Sequence, residues 1–441
     1  MAYTCQSIPL TADLFGLAVH PSRPLLVTAL ATGHVYAYTT PAADDFSTAD
    51  TAGNDSAAAA TAWKTRRHKG SCRDVAFSPD GTTLYSAGSD GLLKAACADT
   101  GRVASKALLP SAAGATADAA TTLLPLGPAR LLVGTDAGNI HLYDLRTPAH
   151  FRGAAPAASW LGAHEDYISS LTRLPPAAPS AEARQFAATG DTTLSVLDVR
   201  CAGQAQARAR SAPQDDELLC AALVDAAPAR HRAAGGTPML VAGTAAGVAT
   251  AWTCGFWEDH QQRVPLARAT GDSVDAVLAL PPHFCVAGAR AAGGPGAFFA
   301  AGSGDGMVRV VELGPNRVVA TLAHGPAAGG RVQPGNYTLG LEAGVAALGL
   351  DCAGRIVSGG GTVVKVWSAM AAKVGAEKRG HDSDGGSGDD GGSGSDGGGD
   401  SSDEEEEGTK RRKRKRKKRK GGRGKARSAG VRNVHGFSGL D

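Results

Sequence analysis

The sequence predicts an all-β protein, a seven-bladed β-propeller followed by a disordered, charged C-terminal tail. Two observations carry the propeller. A short apolar run, a turn of Gly, Ser, Asp or Thr and an alternating run closing on an aromatic or acidic residue recur seven times before residue 369. Anchored on turn positions 33, 91, 138, 192, 247, 306 and 362, the copies lie 58, 47, 54, 55, 59 and 56 residues apart. Alternation with a period of two is the pattern of a strand whose faces point opposite ways, so an array of helices is excluded. A third observation sets off the tail: from Gly380 the composition changes to Gly, Ser and Asp, then to acids, then to cations.

In order, the hairpins read Leu25–Gly33 into His34–Tyr38, Leu84–Gly91 into Leu92–Lys94, and Leu131–Gly138 into Asn139–Asp144. They continue as Phe186–Thr192 into Thr193–Asp198, then Leu240–Gly247 to Trp252, Phe298–Gly306 to Glu312, and Ile356–Thr362 to Trp367. Each needs a tight turn with a positive φ, which favours Gly, Asn or Asp. Radial repetition leaves only short sheet edges, which keeps a long all-β chain from pairing with its neighbours. The repeat is longer than the roughly 40–45 residues of a minimal blade of this kind. Insertions are therefore expected, at Ala42–Thr61, Pro175–Arg184, Ala226–Pro238 and Ala289–Gly296. The last hairpin has no fourth strand after it, and Gln6–Leu10 is the segment expected to supply one and close the ring.

The chain has 441 residues, with 45 Lys and Arg against 42 Asp and Glu. Residues 1–375 hold 28 basic and 29 acidic side chains, and residues 376–441 hold 17 and 13. The near-zero net charge thus averages a neutral body and a charge-segregated tail. Gly, Pro or charge interrupts every apolar run before it reaches the roughly 18 residues of a membrane helix. The start Met1-Ala-Tyr-Thr-Cys lacks the basic flank and apolar core of a secretory signal. The eight cysteines are widely spaced with no Cys-x-x-Cys pair, which fits reduced thiols better than disulfides or a zinc ribbon. No nucleophile elbow, P-loop or His-Glu-x-x-His occurs, and Gly302–Gly306 reads as a blade turn instead of a phosphate cradle. Asn54 and Asn336 fit the glycosylation pattern only coincidentally in a chain without a signal. No catalytic residue, metal site, cofactor, membrane or small-molecule substrate is expected; the protein should bind partners and not catalyse.

The expected organisation is a propeller at 1–372, a flexible Gly/Ser/Asp and acidic linker at 373–409, and a basic tail with a short C-terminal peptide at 410–441. Gly380–Gly399 has no apolar area to bury. Asp403–Glu407 precedes eleven consecutive cations: Lys410, Arg411, Arg412, Lys413, Arg414, Lys415, Arg416, Lys417, Lys418, Arg419 and Lys420. Such a run fits a nuclear and nucleolar targeting signal and a contact to RNA phosphates. No aromatic residue is interleaved for base stacking, so RNA contact there should be blind to sequence and sensitive to salt. Ser393, Ser401 and Ser402 each have an acid three positions on, which resembles an acidophilic kinase consensus. Phosphate there would strengthen an acidic block that competes for the basic run.

The repeats resemble the WD-repeat family over most of residues 1–370. His68 lies 22 residues before Asp90 and His164 lies 27 before Asp191, matching that family's structural His and turn Asp. The Trp-Asp ending is degenerate, surviving as Tyr143-Asp144, Leu197-Asp198, Val311-Glu312, Trp252-Thr253 and Trp367-Ser368. The opening Asp13–Pro21 with Leu30–Tyr36, and the ending of acids, Lys/Arg block and Val434–Leu440, are similar to the family of WD repeat-containing protein 55 and its fungal counterpart Jip-five. That resemblance implies a nucleolar factor in ribosomal RNA production and large-subunit assembly, with pre-ribosomal proteins or ribosomal RNA as partners of a monomer inside a larger complex. A rival comes from Tyr143-Asp-Leu-Arg146 and Leu197-Asp-Val-Arg200, which resemble the double box of substrate receptors for cullin-type ubiquitin ligases. There Arg146 and Arg200 would face the ligase adaptor.

Overall fold

The computed structural model describes residues 3–40, 59–110, 118–146, 155–176, 183–201, 207–225, 237–281, 297–325 and 344–369, all within the unit Met1–Val374. Among them, twenty-eight strands form seven four-stranded antiparallel sheets, the expected blades. Blade one is β2 (Leu14–Val19), β3 (Leu25–Leu30), β4 (His34–Thr39) and β5 (Thr61–Arg66). Blade two is β6 (Cys72–Phe77), β7 (Thr83–Gly88), β8 (Leu92–Cys97) and β9 (Val103–Leu108). Blade three is β10 (Ala120–Gly127), β11 (Arg130–Thr135), β12 (Ile140–Asp144) and β13 (Ala158–Trp160). Blade four is β14 (Ile168–Arg173), β15 (Gln185–Gly190), β16 (Thr193–Asp198) and β17 (Ala209–Arg210). Blade five is β18 (Leu218–Val224), β19 (Met239–Thr244), β20 (Val248–Thr253) and β21 (Gln262–Pro265). Blade six is β22 (Val274–Leu280), β23 (Ala297–Ser303), β24 (Met307–Leu313) and β25 (Arg317–Ala323). Blade seven joins β26 (Ala347–Leu350), β27 (Ile356–Gly360) and β28 (Val363–Ala369) to β1 (Tyr3–Pro9).

The ring closes between the two ends of the propeller. β1 pairs antiparallel with β28, with Gln6 opposite Val366 and Ile8 opposite Val364. The closing strand begins at Tyr3, three residues earlier than the Gln6 expected from sequence, and Leu10 follows it by donating its N–H to the Thr362 carbonyl at 2.8 Å. Thr61 opens β5 and so lies in a blade, not in the expected first insertion. The other three expected insertions, at Pro175–Arg184, Ala226–Pro238 and Ala289–Gly296, fall largely outside the described residues.

The core consists of seven apolar layers, each between one blade and the next. Tyr85, Leu93 and Leu109 of blade two meet Leu123, Leu131 and Tyr143 of blade three. Trp160 and Phe186 fill the layer between blades three and four, their rings edge-on at 5.5 Å. Leu14, Leu26 and Leu30 close on Val357, Val364 and Val366 in the layer that joins the ends. Because a middle strand is covered on both faces, β3, β11, β19 and β23 are buried almost throughout and read as apolar runs. Inner strands are stitched across blades: Thr121 Oγ1 donates to the Ile168 carbonyl at 2.6 Å, Ser169 Oγ to Leu218 at 2.6 Å, and the Leu123 N–H to Asp74 Oδ2 at 2.7 Å. Gly33 shows why the turns need glycine. Its φ is +77°, and a Cβ there would lie 2.1 Å from the Gly70 carbonyl oxygen. In blade four Asp191 takes the left-handed position instead, at φ 48°.

Candidate binding surface

Strands that alternate in direction sort their connections onto two faces. The tight turns between second and third strands share one face, here the turn face, with the links from each fourth strand to the next blade. Links from first to second and third to fourth strands lie on the other, the exit face, where β28 also ends.

On the turn face the sequence-matched histidines act as clasps. His68, in the link between β5 and β6, places Nδ1 2.8 Å from Asp90 Oδ1 and Nε2 3.0 Å from Ser86 Oγ. Asp90 also accepts the Lys69 and Leu92 N–H groups at 3.1 and 3.3 Å, so one carboxylate ties the link to the turn. His164 reaches Asp191 at 3.9 Å, and the Thr193 hydroxyl lies between them at 3.0 Å from each. A third clasp was not marked in the sequence: His324 Nδ1 lies 2.8 Å from Ser358 Oγ, which accepts the Trp367 indole N–H at 2.8 Å. Burial holds all three imidazoles below their usual pKa, His324 at about 4, so they are neutral packing elements at pH 7. No group of His, Cys, Asp or Glu among the described residues is arranged to hold a metal ion. The seven cysteines among those residues are unpaired, with burial pushing the Cys220 thiol up to about 12.

Arg146 and Arg200 both lie on the exit face, at the ends of the third strands of adjacent blades. Arg146 has its Nε 2.9 Å from Asp144 Oδ1, and its side chain is 70% exposed. Arg200 has Nε and Nη2 3.0 and 2.6 Å from the two oxygens of Asp198, which is fully buried and also takes Arg208 Nη1 at 2.9 Å. The Arg200 and Arg208 hydrogen bonds hold the Asp198 carboxyl well below the usual carboxylate range. The Asp-x-Arg ending is thus a local fork in which the carboxylate aims the guanidinium outward. Lys410–Lys420 and Ser393, Ser401 and Ser402 lie outside the described residues, as do Asn54 and Asn336.

The family of the WD domain, G-beta repeat matches residues 62–95. That span runs from β5 into β8, so the sequence repeat is offset by one strand from the blade; the same offset makes β1 the partner of β28. WD repeat-containing protein jip5 of Emericella nidulans is 39% identical over 392 residues, covering 86% of this chain and 88% of the relative. The chain belongs to the jip5 family of WD-repeat proteins. Its members in Coccidioides immitis and Botryotinia fuckeliana are 39% and 38% identical, covering 86% and 82% of this chain and 85% and 80% of theirs. This jip5 family member is therefore a WD-repeat propeller, a fold that serves as a binding scaffold.

Proposed function

We propose that this protein is a non-enzymatic scaffold in nucleolar ribosome production, acting in ribosomal RNA processing and large-subunit assembly, and that its family extends to WD repeat-containing protein 55. The observation that carries the proposal is the run Lys410–Lys420 joined to a propeller of the jip5 family. Eleven uninterrupted cations serve nucleolar targeting and weak, sequence-blind RNA contact, and the propeller presents two faces to pre-ribosomal proteins. In this proposal residues 1–372 bind, 373–409 link and 410–441 target. Phosphorylation of Ser393, Ser401 and Ser402 tunes the acidic competitor, and the chain works as a monomer within a larger particle without cofactor or membrane.

Replacing Lys410–Lys420 by glutamine in a fluorescent fusion should move the signal from the nucleolus to a diffuse distribution. Unchanged nucleolar fluorescence would contradict the targeting role. A second reading, a substrate receptor of a cullin-type ubiquitin ligase, is favoured by Arg146 and Arg200 standing exposed at equivalent ends of blades three and four.

A further inference from the structure

Blades three and four carry opposite charge on their two faces. On the exit face the described residues include Arg130, Arg146, Arg173, Arg184, Arg200 and Arg208 against only Asp144 and Asp198. On the turn face the same blades present Asp118, Asp136, Glu165, Asp166 and Asp191 against two arginines among the described residues: Arg210, which donates to the Ala163 carbonyl, and Arg73 of blade two, which pairs with Asp136 at 3.0 Å.

The fold gathers arginines that the sequence scatters. Asp198 grips Arg200 and Arg208 together. The Val199 N–H donates to the Arg184 carbonyl at 2.9 Å, and the Leu174 N–H, next to Arg173, donates to Gln185 at 3.0 Å. Four arginines therefore converge on one end of blade four. A crevice lined by Leu126–Arg130 and Ala183 brings Arg130 of blade three beside the residue that precedes Arg184. Arg173 and Arg184 are exposed, and no carboxylate among the described residues pairs with either.

We infer that this arginine-lined exit face of blades three and four binds the phosphate backbone of single-stranded RNA, independently of the basic tail. Guanidinium forks match phosphate geometry, and two of them are already held in place by a buried carboxylate, so little rotamer freedom is lost on binding. The acidic turn face turns a polyanion away and steers it to the exit face. A protein adaptor would use Arg146 and Arg200 and leave Arg173 and Arg184 without a carboxylate among the described residues; a polyanion uses these four together. The inference deepens the ribosomal reading and rests on it only for which RNA is bound.

The test is fluorescence anisotropy with a labelled oligouridine of about 20 nucleotides across a salt series. It uses the full chain with Lys410–Lys420 changed to glutamine, so that the tail does not mask the propeller. Adding Arg146→Gln, Arg173→Gln and Arg184→Gln should weaken binding at least about tenfold and reduce the slope of log K against log salt by about 2, at roughly 0.7 per lost phosphate contact. Arginine-to-lysine changes at those positions should keep most of the slope while lowering affinity, because charge is retained and the fork is lost. An equal charge change on the outer strands of blades one and two, Lys64→Gln with Arg66→Gln and Lys106→Gln, should leave affinity within about twofold. Equal affinity and slope for the exit-face variant and this control, with both folded by thermal melting, would overturn the inference. So would loss of a co-purifying adaptor protein by the exit-face variant at unchanged RNA affinity, which would make the face a protein-docking site. Diffuse localisation of the tail variant with intact exit-face binding would separate the two roles.

Discussion

Deleting residues 1–12 should lower the melting temperature by roughly 5–10 °C. The deletion removes β1, the fourth strand of blade seven, and with it Ile8 and Leu10, which are 2% and 9% exposed. Burying each such side chain is worth about 1.5–3 kcal/mol, and in a domain larger than about 250 residues one kcal/mol shifts the midpoint by about 2 °C. The loss is more than area. β28 becomes an open edge, and the layer that joins Leu14, Leu26 and Leu30 to Val364 and Val366 loses its outer cover. Scanning fluorimetry measures the shift, and Ile8→Asp should reproduce most of it without shortening the chain. An unchanged midpoint in both variants would mean that blade seven is complete without its N-terminal strand.

Trp252→Ala should cost about 3–5 kcal/mol, the range for truncating a large buried aromatic. The indole is 0% exposed and sits in the layer between blades four and five with Leu174, Leu194, Val196, Leu218 and Leu240. Its Nε1 has no hydrogen-bond partner among the described residues, so its contribution is packing. Trp252→Phe, which removes that N–H and refills most of the volume, should recover more than half of the loss. Phe256 is four residues on and 69% exposed, and Phe256→Ala should lie within about 0.5 kcal/mol of wild type by denaturant titration. Equal costs for Trp252→Ala and Phe256→Ala would contradict the layered core.

Much of the fold was legible because its signals are local. Each blade turn needs a left-handed residue, and Gly33, Gly91, Gly138, Gly247 and Gly306 mark five of the seven. In blade four the left-handed residue is Asp191, one position before the expected anchor, because a two-residue turn replaces the longer one. The closing strand was legible from the apolar residues Ile8 and Leu10, although its start at Tyr3 was not. The clasps at His68 and His164 were legible because their spacing to Asp90 and Asp191 matches the His and turn Asp of the WD-repeat pattern that the chain resembles. His324 was not, because 34 residues separate it from Ser358 and no fixed His-to-turn spacing survives that length. The arginine face was hardest to read. Arg173, Arg184 and Arg208 flank different strands and carry no shared motif; only the pairing of β14, β15 and β16 around Asp198 makes them neighbours.

The central proposal joins a neutral propeller and a cationic tail into one pre-ribosomal scaffold. Affinity purification of the tagged full chain, with and without RNase and followed by mass spectrometry and RNA sequencing, tests it most directly. The expected result is precursor ribosomal RNA together with large-subunit assembly factors, part of them released by RNase. Recovery of a cullin-ligase adaptor without ribosomal RNA or assembly factors would contradict it.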